Sequence, residues 1–400
     1  MKGPTRKAFS TRAVHAGERL PPGNYSPVVT PLNTSVGFTY ESMADLDGVF
    51  AGTHPGYVYP RYGSPTVAAF ERAVAELEGG EAAHAFASGM AAIHTTLLAA
   101  SVRAGSSVVA ALDVYGATYS LLQRLLVEQA VQTVWVDVSD LAQVETALSR
   151  CDDPAVLLAE TISNPLLKVA DIPKLAEMAH RHGAKFLVDN TFASPYLLNP
   201  LAHGADFVIH SATKYIGGHG DVLAGVVVTS AKNREKLYEL NKLVGSVLGP
   251  FEAWLAMRGL KTLPLRMRQQ CSNAAQVAAW LTEQPEIEKV YYPGLHSHPQ
   301  HSLASELFAG LGYGGMLSFE IRGAGQERAY RFMEALRLCL PATTLGDIYT
   351  LALHPASSSH RSLTPEERAM AGISDGLVRL SLGIEAVEDI LADLEQSLRA

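Results

Sequence analysis

Asp206-Phe207-Val208-Ile209-His210-Ser211-Ala212-Thr213-Lys214-Tyr215-Ile216-Gly217-Gly218-His219-Gly220-Asp221 runs from an apolar, strand-like segment into a lysine set among hydroxyls and glycines. Twenty-five residues before Lys214, a second apolar run, Lys185-Phe186-Leu187-Val188, ends in Asp189-Asn190-Thr191. An amine flanked by hydroxyls, with a carboxylate one strand away, is what pyridoxal 5′-phosphate (PLP) requires. The amine condenses with the aldehyde as a Schiff base. Hydroxyls and backbone N–H groups hold the phosphate, and the carboxylate keeps the pyridine nitrogen protonated. Most lysines are solvated surface charges, but here Ser211, Thr213 and Lys214 supply amine and phosphate-binding hydroxyls in one run. Asp189 could cap a following helix, yet Thr191 is a poor helix start. A salt bridge to a pyridinium accounts better for a carboxylate at the end of an apolar strand, because buried charges need partners.

Working outward, similar apolar runs occupy 107–112, 132–136, 155–159 and 225–229, and alternate with helix-like stretches such as 119–129 and 172–182. That alternation predicts βαβ units and a mainly parallel sheet covered on both faces. Right-handed crossovers place the strand C-termini on one edge, where open α/β sheets bind ligands. Residues 155–159 lead there to Glu160 and Asn164, 185–188 to Asp189, and 206–210 to Ser211, Thr213 and Lys214. Ala87-Ser88-Gly89-Met90 joins a short strand to a helix whose N-terminal N–H groups suit a phosphate. No GxGxxG follows a strand and no GK[ST] loop is present, so nothing supports a dinucleotide or nucleoside triphosphate.

Residues 1–65 are rich in Pro, Gly, Tyr and Thr with little periodicity, which predicts an extended arm. Helical spacing begins at 67–78 and is closed by Gly79-Gly80. Near 250–265 the pattern shifts to the end of one helical segment (254–263) and a long helix (264–281). Strand (315–321), helix (325–336), strand, strand (377–382) and helix (385–398) then suggest a smaller α/β domain. The expected organisation is an arm over 1–65, a cofactor-binding domain over 66–260 and a C-terminal α/β domain over 261–400.

Of the 400 residues, 48% are hydrophobic and 18% charged, with a net charge of −8, which argues against nucleic acid or an anionic membrane as partner. No apolar run approaches the roughly 18 residues of a membrane span. The basic start Met1-Lys2-Gly3-Pro4-Thr5-Arg6-Lys7 has no apolar segment after it, so a secretion signal is not expected and the cytoplasm is. Cys151, Cys271 and Cys339 are far apart and odd in number, the pattern of free thiols. His296, His298 and His301 surround a proline and have no acidic or cysteine ligand nearby, so a polar loop is expected and no metal site.

Three further positions carry chemistry. Arg61, in Tyr59-Pro60-Arg61-Tyr62, could hold a phosphate with the Tyr59 hydroxyl, or lie in a surface turn. Tyr115, in Asp113-Val114-Tyr115-Gly116, could stack on an aromatic cofactor and exchange protons, or belong to the core. Arg379, in Leu377-Val378-Arg379-Leu380-Ser381, is a lone cation in an apolar strand; an interior arginine needs an anion, and a substrate carboxylate suits it.

Together these motifs resemble the Cys/Met-metabolism family of PLP enzymes, which includes cystathionine γ-synthase, cystathionine γ-lyase, methionine γ-lyase and the O-acyl-homoserine sulfhydrylases. The likeness runs from Thr11-Arg12-Ala13-Val14-His15-Ala16-Gly17 to Arg379-Leu380-Ser381-Leu382-Gly383-Ile384-Glu385, and 211–225 is its most specific stretch. The resemblance implies PLP fold type I (aspartate-aminotransferase-like), with a mainly parallel seven-stranded sheet in the large domain. It implies that Lys214 forms the Schiff base and shuttles protons, and that Asp189 pairs with the ring nitrogen. Gly89, Met90, Ser211 and Thr213 would hold the phosphate, joined by Tyr59 and Arg61 from a neighbouring subunit of a homotetramer built as a dimer of dimers. Tyr115 would stack on the ring and assist the leaving group, Asn164 would lie near the ring hydroxyl, and Thr344 and Arg379 would take the substrate α-carboxylate.

The activity so implied is γ-elimination on a sulfur amino acid (methionine, homocysteine or cystathionine), giving a thiol, ammonia and 2-oxobutanoate. The alternative is γ-replacement, as in cystathionine γ-synthase or an O-acyl-homoserine sulfhydrylase. Relatives that handle cystathionine tend to have an acidic residue where this chain has Thr343, and Asn-Arg where it has Tyr119-Ser120. Methionine γ-lyases often carry a cysteine at the position of Ala117. A non-catalytic PLP-fold protein is disfavoured by the presence of both Lys214 and Asp189.

Overall fold

The computed structural model describes residues 7–19, 24–151, 153–361 and 363–400. The basic stretch at 1–6 lies outside the described residues. Seven strands build the larger sheet: β1 (Ala82–Phe86), β2 (Ser107–Ala111), β3 (Gln132–Val136), β4 (Pro154–Glu160), β5 (Lys185–Asp189), β6 (Phe207–Ser211) and β7 (Gly225–Thr229). Their order is β1-β7-β6-β5-β4-β2-β3. From β3 through β6 every neighbouring pair is parallel, whereas β7 runs antiparallel to both β6 and β1. The expected alignment of strand C-termini therefore fails at β7 alone among these strands, because β6 returns through the loop 212–224 without a crossover helix.

Alternate residues of these strands feed two apolar clusters, one on each face. Val109, Leu157, Phe186 and Val208 pack with the helices Pro65–Glu78 and Leu263–Thr282. Val108, Leu158, Leu187 and Ile209 pack with the helix Gly89–Ala99 and with Leu122 and Leu126. Burial on both faces is why the strands read as unbroken apolar runs.

A second sheet has the order β10-β11-β12-β9-β8, from β8 (Ile287–Tyr291), β9 (Met316–Ile321), β10 (Leu340–Pro341), β11 (Leu351–Leu353) and β12 (Leu377–Ser381). β12 lies between β11 and β9, and pairs Arg379 with Leu353 on one side and Ser318 on the other.

Two local expectations change. The N-terminal stretch is not extended throughout: Phe9–His15 and Met43–Phe50 are helical. Ala13 and Ala16 are buried in the main core, and Arg12 Nη1 donates to the Glu76 carbonyl oxygen at 2.6 Å, which ties this part to the chain's own body. The helix foreseen at 119–129 starts earlier, at Gly116, and passes into a π-helical turn over Leu121–Leu126. Among the described residues, no helix is long and apolar enough to cross a membrane.

Candidate active site

A cavity of about 390 Å³ opens where the strand ends of the larger sheet face β12. On one wall stand Ser211, which ends β6, and Thr213 and Lys214 from the turn that follows it. Asp189 ends β5 and Glu160 ends β4 in matching register, so the two carboxyl groups belong to adjacent strands. Gly89 and Met90 open the helix after β1, Tyr115 follows β2, and Arg379 enters from β12.

The lysine turn is shaped from behind. Arg266 donates from Nη1 to the Tyr215 carbonyl oxygen at 2.7 Å and from Nη2 to that of Gly259 at 2.8 Å, which fixes the backbone just after Lys214. Gly218 sits at φ +69°, and a Cβ there would lie 2.0 Å from Arg266 Nη1, so the position requires glycine. Held this way, Lys214 Nζ reaches the cavity and donates to Thr344 Oγ1 at 2.9 Å. Burial, reinforced by the Arg379 charge and opposed by Asp347, lowers the amine's pKa to about 8. The result is an amine far easier to deprotonate than a surface lysine.

Asp189 accepts from the Thr191 amide at 3.0 Å, and the Thr191 hydroxyl in turn accepts from the Ser211 amide at 2.8 Å. The next helix begins only at Ser194, so Asp189 is not its cap. Burial raises the Asp189 pKa, against the pull of the Thr191 hydroxyl and amide and of His210. A buried carboxyl whose neighbours only partly offset its burial fits the ring nitrogen of a pyridinium.

Arg379 is 3% exposed. Its Nη1 donates to Asn164 Oδ1 at 2.8 Å and its Nη2 to the Thr344 carbonyl oxygen at 3.4 Å, while the buried Nε has no partner. Burial depresses its pKa to about 10, offset in part by Tyr215, Tyr115 and Glu160. An unspent N–H on a buried cation at a cleft is a place for an anion.

The wall beside the helix Gly89–Ala99 is built from small groups. Ser88 caps the helix Gly89–Ala99, accepting from the Ala91 amide at 3.1 Å. At Gly89 a Cβ would come within 2.9 Å of the Ser211 Cβ, so only glycine leaves that cradle open. Helix N–H groups, two hydroxyls, a buried carboxyl and a lowered-pKa amine form a donor set that fits PLP.

Lys214, Asp189, Gly89, Met90, Ser211, Thr213, Tyr115, Asn164 and Arg379 thus share this one cleft, with Thr344 in contact with both Lys214 and Arg379. Tyr59 and Arg61 do not line it. Arg61 lies 5.2 Å from the Tyr59 ring centroid, and its Nη1 donates to the Lys242 carbonyl oxygen at 2.9 Å. Ser358 and Ser359 line the cleft unforeseen; the polar run Ser357-Ser358-Ser359-His360 was the available signal. Among the loop histidines, His301 spends Nδ1 on the Pro293 carbonyl oxygen at 2.8 Å, and burial pushes His298 down to about 4.

A family model described as Cys/Met metabolism PLP-dependent enzyme matches residues 10–399. L-methionine gamma-lyase of Pseudomonas putida is 45% identical over 98% of this chain and 97% of its own length. O-succinylhomoserine sulfhydrylase of Pseudomonas aeruginosa is 42% identical, covering 98% of this chain and 96% of that protein. A solved structure of cystathionine gamma synthase from Xanthomonas oryzae pv. oryzae superposes with a TM-score of 0.92 at 39% identity, over 99% of this chain and 98% of that one.

Proposed function

The chain belongs to the family of Cys/Met metabolism PLP-dependent enzymes, and from that premise we propose that it eliminates the γ-substituent of a sulfur amino acid. Methionine, homocysteine or cystathionine, with water, gives a thiol, ammonia and 2-oxobutanoate. The observation that carries this reading is the unpaired Nε of buried Arg379 in the same cleft as the Lys214 amine. An α-amino acid has one carboxylate for the first group and one α-proton for the second.

Bound PLP supplies an aldehyde for the amine and an electron sink for the carbanion that proton removal leaves. Arg379 holds the α-carboxylate through Nε, steadied by Asn164, while Thr344 positions Lys214 Nζ. Lys214, with a pKa near 8, takes the α-proton at Nζ and moves protons between carbons. Tyr115, which lines the cleft, would protonate the departing sulfur from its hydroxyl and would help to hold the cofactor's ring. Asp189 keeps the ring nitrogen protonated, and Gly89, Met90, Ser211 and Thr213 bind the phosphate.

The same reading includes the domain division at 260/261, a cytoplasmic location, and a homotetramer of paired dimers in which Tyr59 and Arg61 of the 1–65 arm complete a neighbour's phosphate site. Tyr25, Val28, Val29 and Tyr59 are exposed, which supports a covering partner for the arm. The second reading, γ-replacement on an O-acyl-homoserine, is favoured by the likeness to the sulfhydrylase. Purified protein with PLP is assayed on methionine, homocysteine, cystathionine and O-acetyl- and O-succinyl-homoserine, each with and without cysteine or sulfide. Release of 2-oxobutanoate from a thiol or thioether without acceptor supports the lyase. Turnover confined to acylated substrates, with replacement products on adding acceptor, moves the chain to the transferases.

A further inference from the structure

Glu160 has no part in the chemistry described so far, yet it stands in the middle of it. It ends β4 in register with Asp189 and is 8% exposed, and its Oε1 accepts from the Tyr115 amide at 2.6 Å. The groups that face it come from four elements. Asp189 lies on β5, Asp113 follows β2, Arg379 projects from β12, and Lys214 stands across the cleft. Asp113 is itself buried, with Oδ2 unpartnered.

Two things follow from this placement. Tyr115 is 42% exposed and lines the cavity, so packing does little to hold it. Its backbone carbonyl accepts from the Tyr119 amide at 3.0 Å, and its amide is fixed by the short hydrogen bond to Glu160, at the entry to the helix Gly116–Ser120. The second consequence is electrostatic. Carboxyl groups in matching register on neighbouring buried strands do not both ionise easily, since each charge raises the cost of the other. The cation available nearby, Arg379, already donates to Asn164 and Thr344.

We propose that Glu160 is a positioning residue of this cleft: its Oε1 fixes the backbone of Tyr115, and its carboxyl stays neutral beside Asp189, so that Asp189 alone carries the charge offered to the cofactor's ring nitrogen. Burial, with the charges of Asp189 and Asp113, holds the Glu160 carboxyl well above the usual carboxylate range, against the Tyr115 amide and Arg379. The asymmetry is consistent with this assignment: Asp189 raises Glu160, while the groups that act on Asp189 are Thr191 and His210. Asp189 ionises first, and Glu160 follows only at higher pH. The inference rests on PLP binding at Lys214.

The test uses wild type, Glu160→Gln and Glu160→Ala, each as apoprotein titrated with PLP across the pH range and then assayed as holoenzyme. Glutamine keeps an acceptor for the Tyr115 amide but has no proton to lose, whereas alanine removes both. In wild type, the PLP dissociation constant should carry a step above the ionisation of Asp189, where Glu160 gains its charge. Glu160→Gln should lack that step. Glu160→Ala should lack it too, and should lose up to about tenfold more in kcat than Glu160→Gln, the scale of one neutral hydrogen bond. A wild type with no step besides that of Lys214 near pH 8, or a second step that persists in Glu160→Gln, overturns the neutral carboxyl. Equal kcat in the two variants, with native far-UV circular dichroism in both, overturns the hold on Tyr115. Wild type that gains no visible absorbance with PLP, or keeps it after Lys214→Ala, refutes the functional reading itself.

Discussion

Arg379→Met separates what Arg379 does for the fold from what it does for a substrate. The depression of its pKa from 12.5 to about 10 corresponds to roughly 3 kcal/mol against the charged form. That penalty is fully present below about pH 10 and vanishes only above the unfolded value, so at neutral pH the folded chain carries all of it. Methionine fills similar space without charge, but it strands the acceptors on Asn164 and Thr344, at about 1–3 kcal/mol each if they stay unpaired. The two effects nearly cancel. The change in apoprotein stability should therefore lie between about 1 kcal/mol gained and about 3 kcal/mol lost, which is a few degrees in Tm for a chain of this size. For the substrate nothing cancels. A carboxylate that loses its cation forfeits one or two charge-assisted hydrogen bonds, roughly 2–6 kcal/mol in kcat/KM, or about thirtyfold to ten-thousandfold. Thermal unfolding of the apoprotein and kcat/KM of the holoenzyme on its best substrate measure the two effects. A Tm that falls by more than about 10 °C would make Arg379 a structural cation, and a loss in kcat/KM below about threefold would remove it from the carboxylate site.

The remaining predictions concern the groups around it. Apoprotein should react with PLP at a rate that rises as Lys214 loses its proton, with a midpoint near pH 8. Because the Arg379 charge helps to lower that value, stopped-flow absorbance on Arg379→Met should find the midpoint at higher pH; an unmoved midpoint counts against the coupling. Gly89→Ala places a Cβ 2.9 Å from that of Ser211, and equilibrium dialysis should show about tenfold weaker PLP binding with little change in apoprotein Tm. Thr343 lines the cleft, and Thr343→Glu supplies a carboxylate for a distal amine. It should raise kcat/KM for cystathionine relative to methionine by about tenfold, and a ratio that stays constant removes Thr343 from the distal end.

Signals that survive in a linear sequence are those of local periodicity broken by one wrong residue. β5 and β6 are apolar runs that end in Asp189 and Ser211, so both strands and the polar groups at their ends were legible. Arg379 stood out for the same reason. β1 reads Ala-Ala-His-Ala-Phe, and alanine favours helix, so its pairing with β7 over five residues at the sheet edge comes from burial and not from propensity. β8, Ile287-Glu288-Lys289-Val290-Tyr291, exposes the adjacent Glu288 and Lys289, so it has neither an unbroken apolar run nor a clean alternation to announce a strand. The π-helical turn at Leu121–Leu126 satisfies Leu122 and Leu126, both fully buried, a tertiary demand that no local pattern announces. Glu160 was visible as a polar strand end, but its hold on the Tyr115 amide spans 45 residues of sequence and exists only once β2 and β4 lie side by side.

The charges in the cleft explain why two sheets are needed to make it. Lys214, Asp189 and Glu160 all rise from the larger sheet, close enough that Asp189 raises the pKa of Glu160 and buried enough that Lys214 sheds its proton readily. A second cation supplied by that same sheet would sit beside Lys214 without a spacer, and would pair with Asp189 or Glu160 at the expense of the cofactor and the substrate. Arg379 instead comes from the opposite wall on β12, with two of its nitrogens already committed to Asn164 and Thr344. It is therefore near enough to lower the Lys214 pKa, yet held by neutral acceptors, and so leaves the carboxyl groups free. Thr344 belongs to the same segment as the inward-facing Thr343, and its hydroxyl accepts from Lys214 Nζ while its carbonyl oxygen accepts from Arg379 Nη2. Any movement of the second sheet against the first would break the Lys214–Thr344 and Arg379–Asn164 contacts together. The amine's basicity and the placement of the Arg379 guanidinium are thus set by one and the same packing.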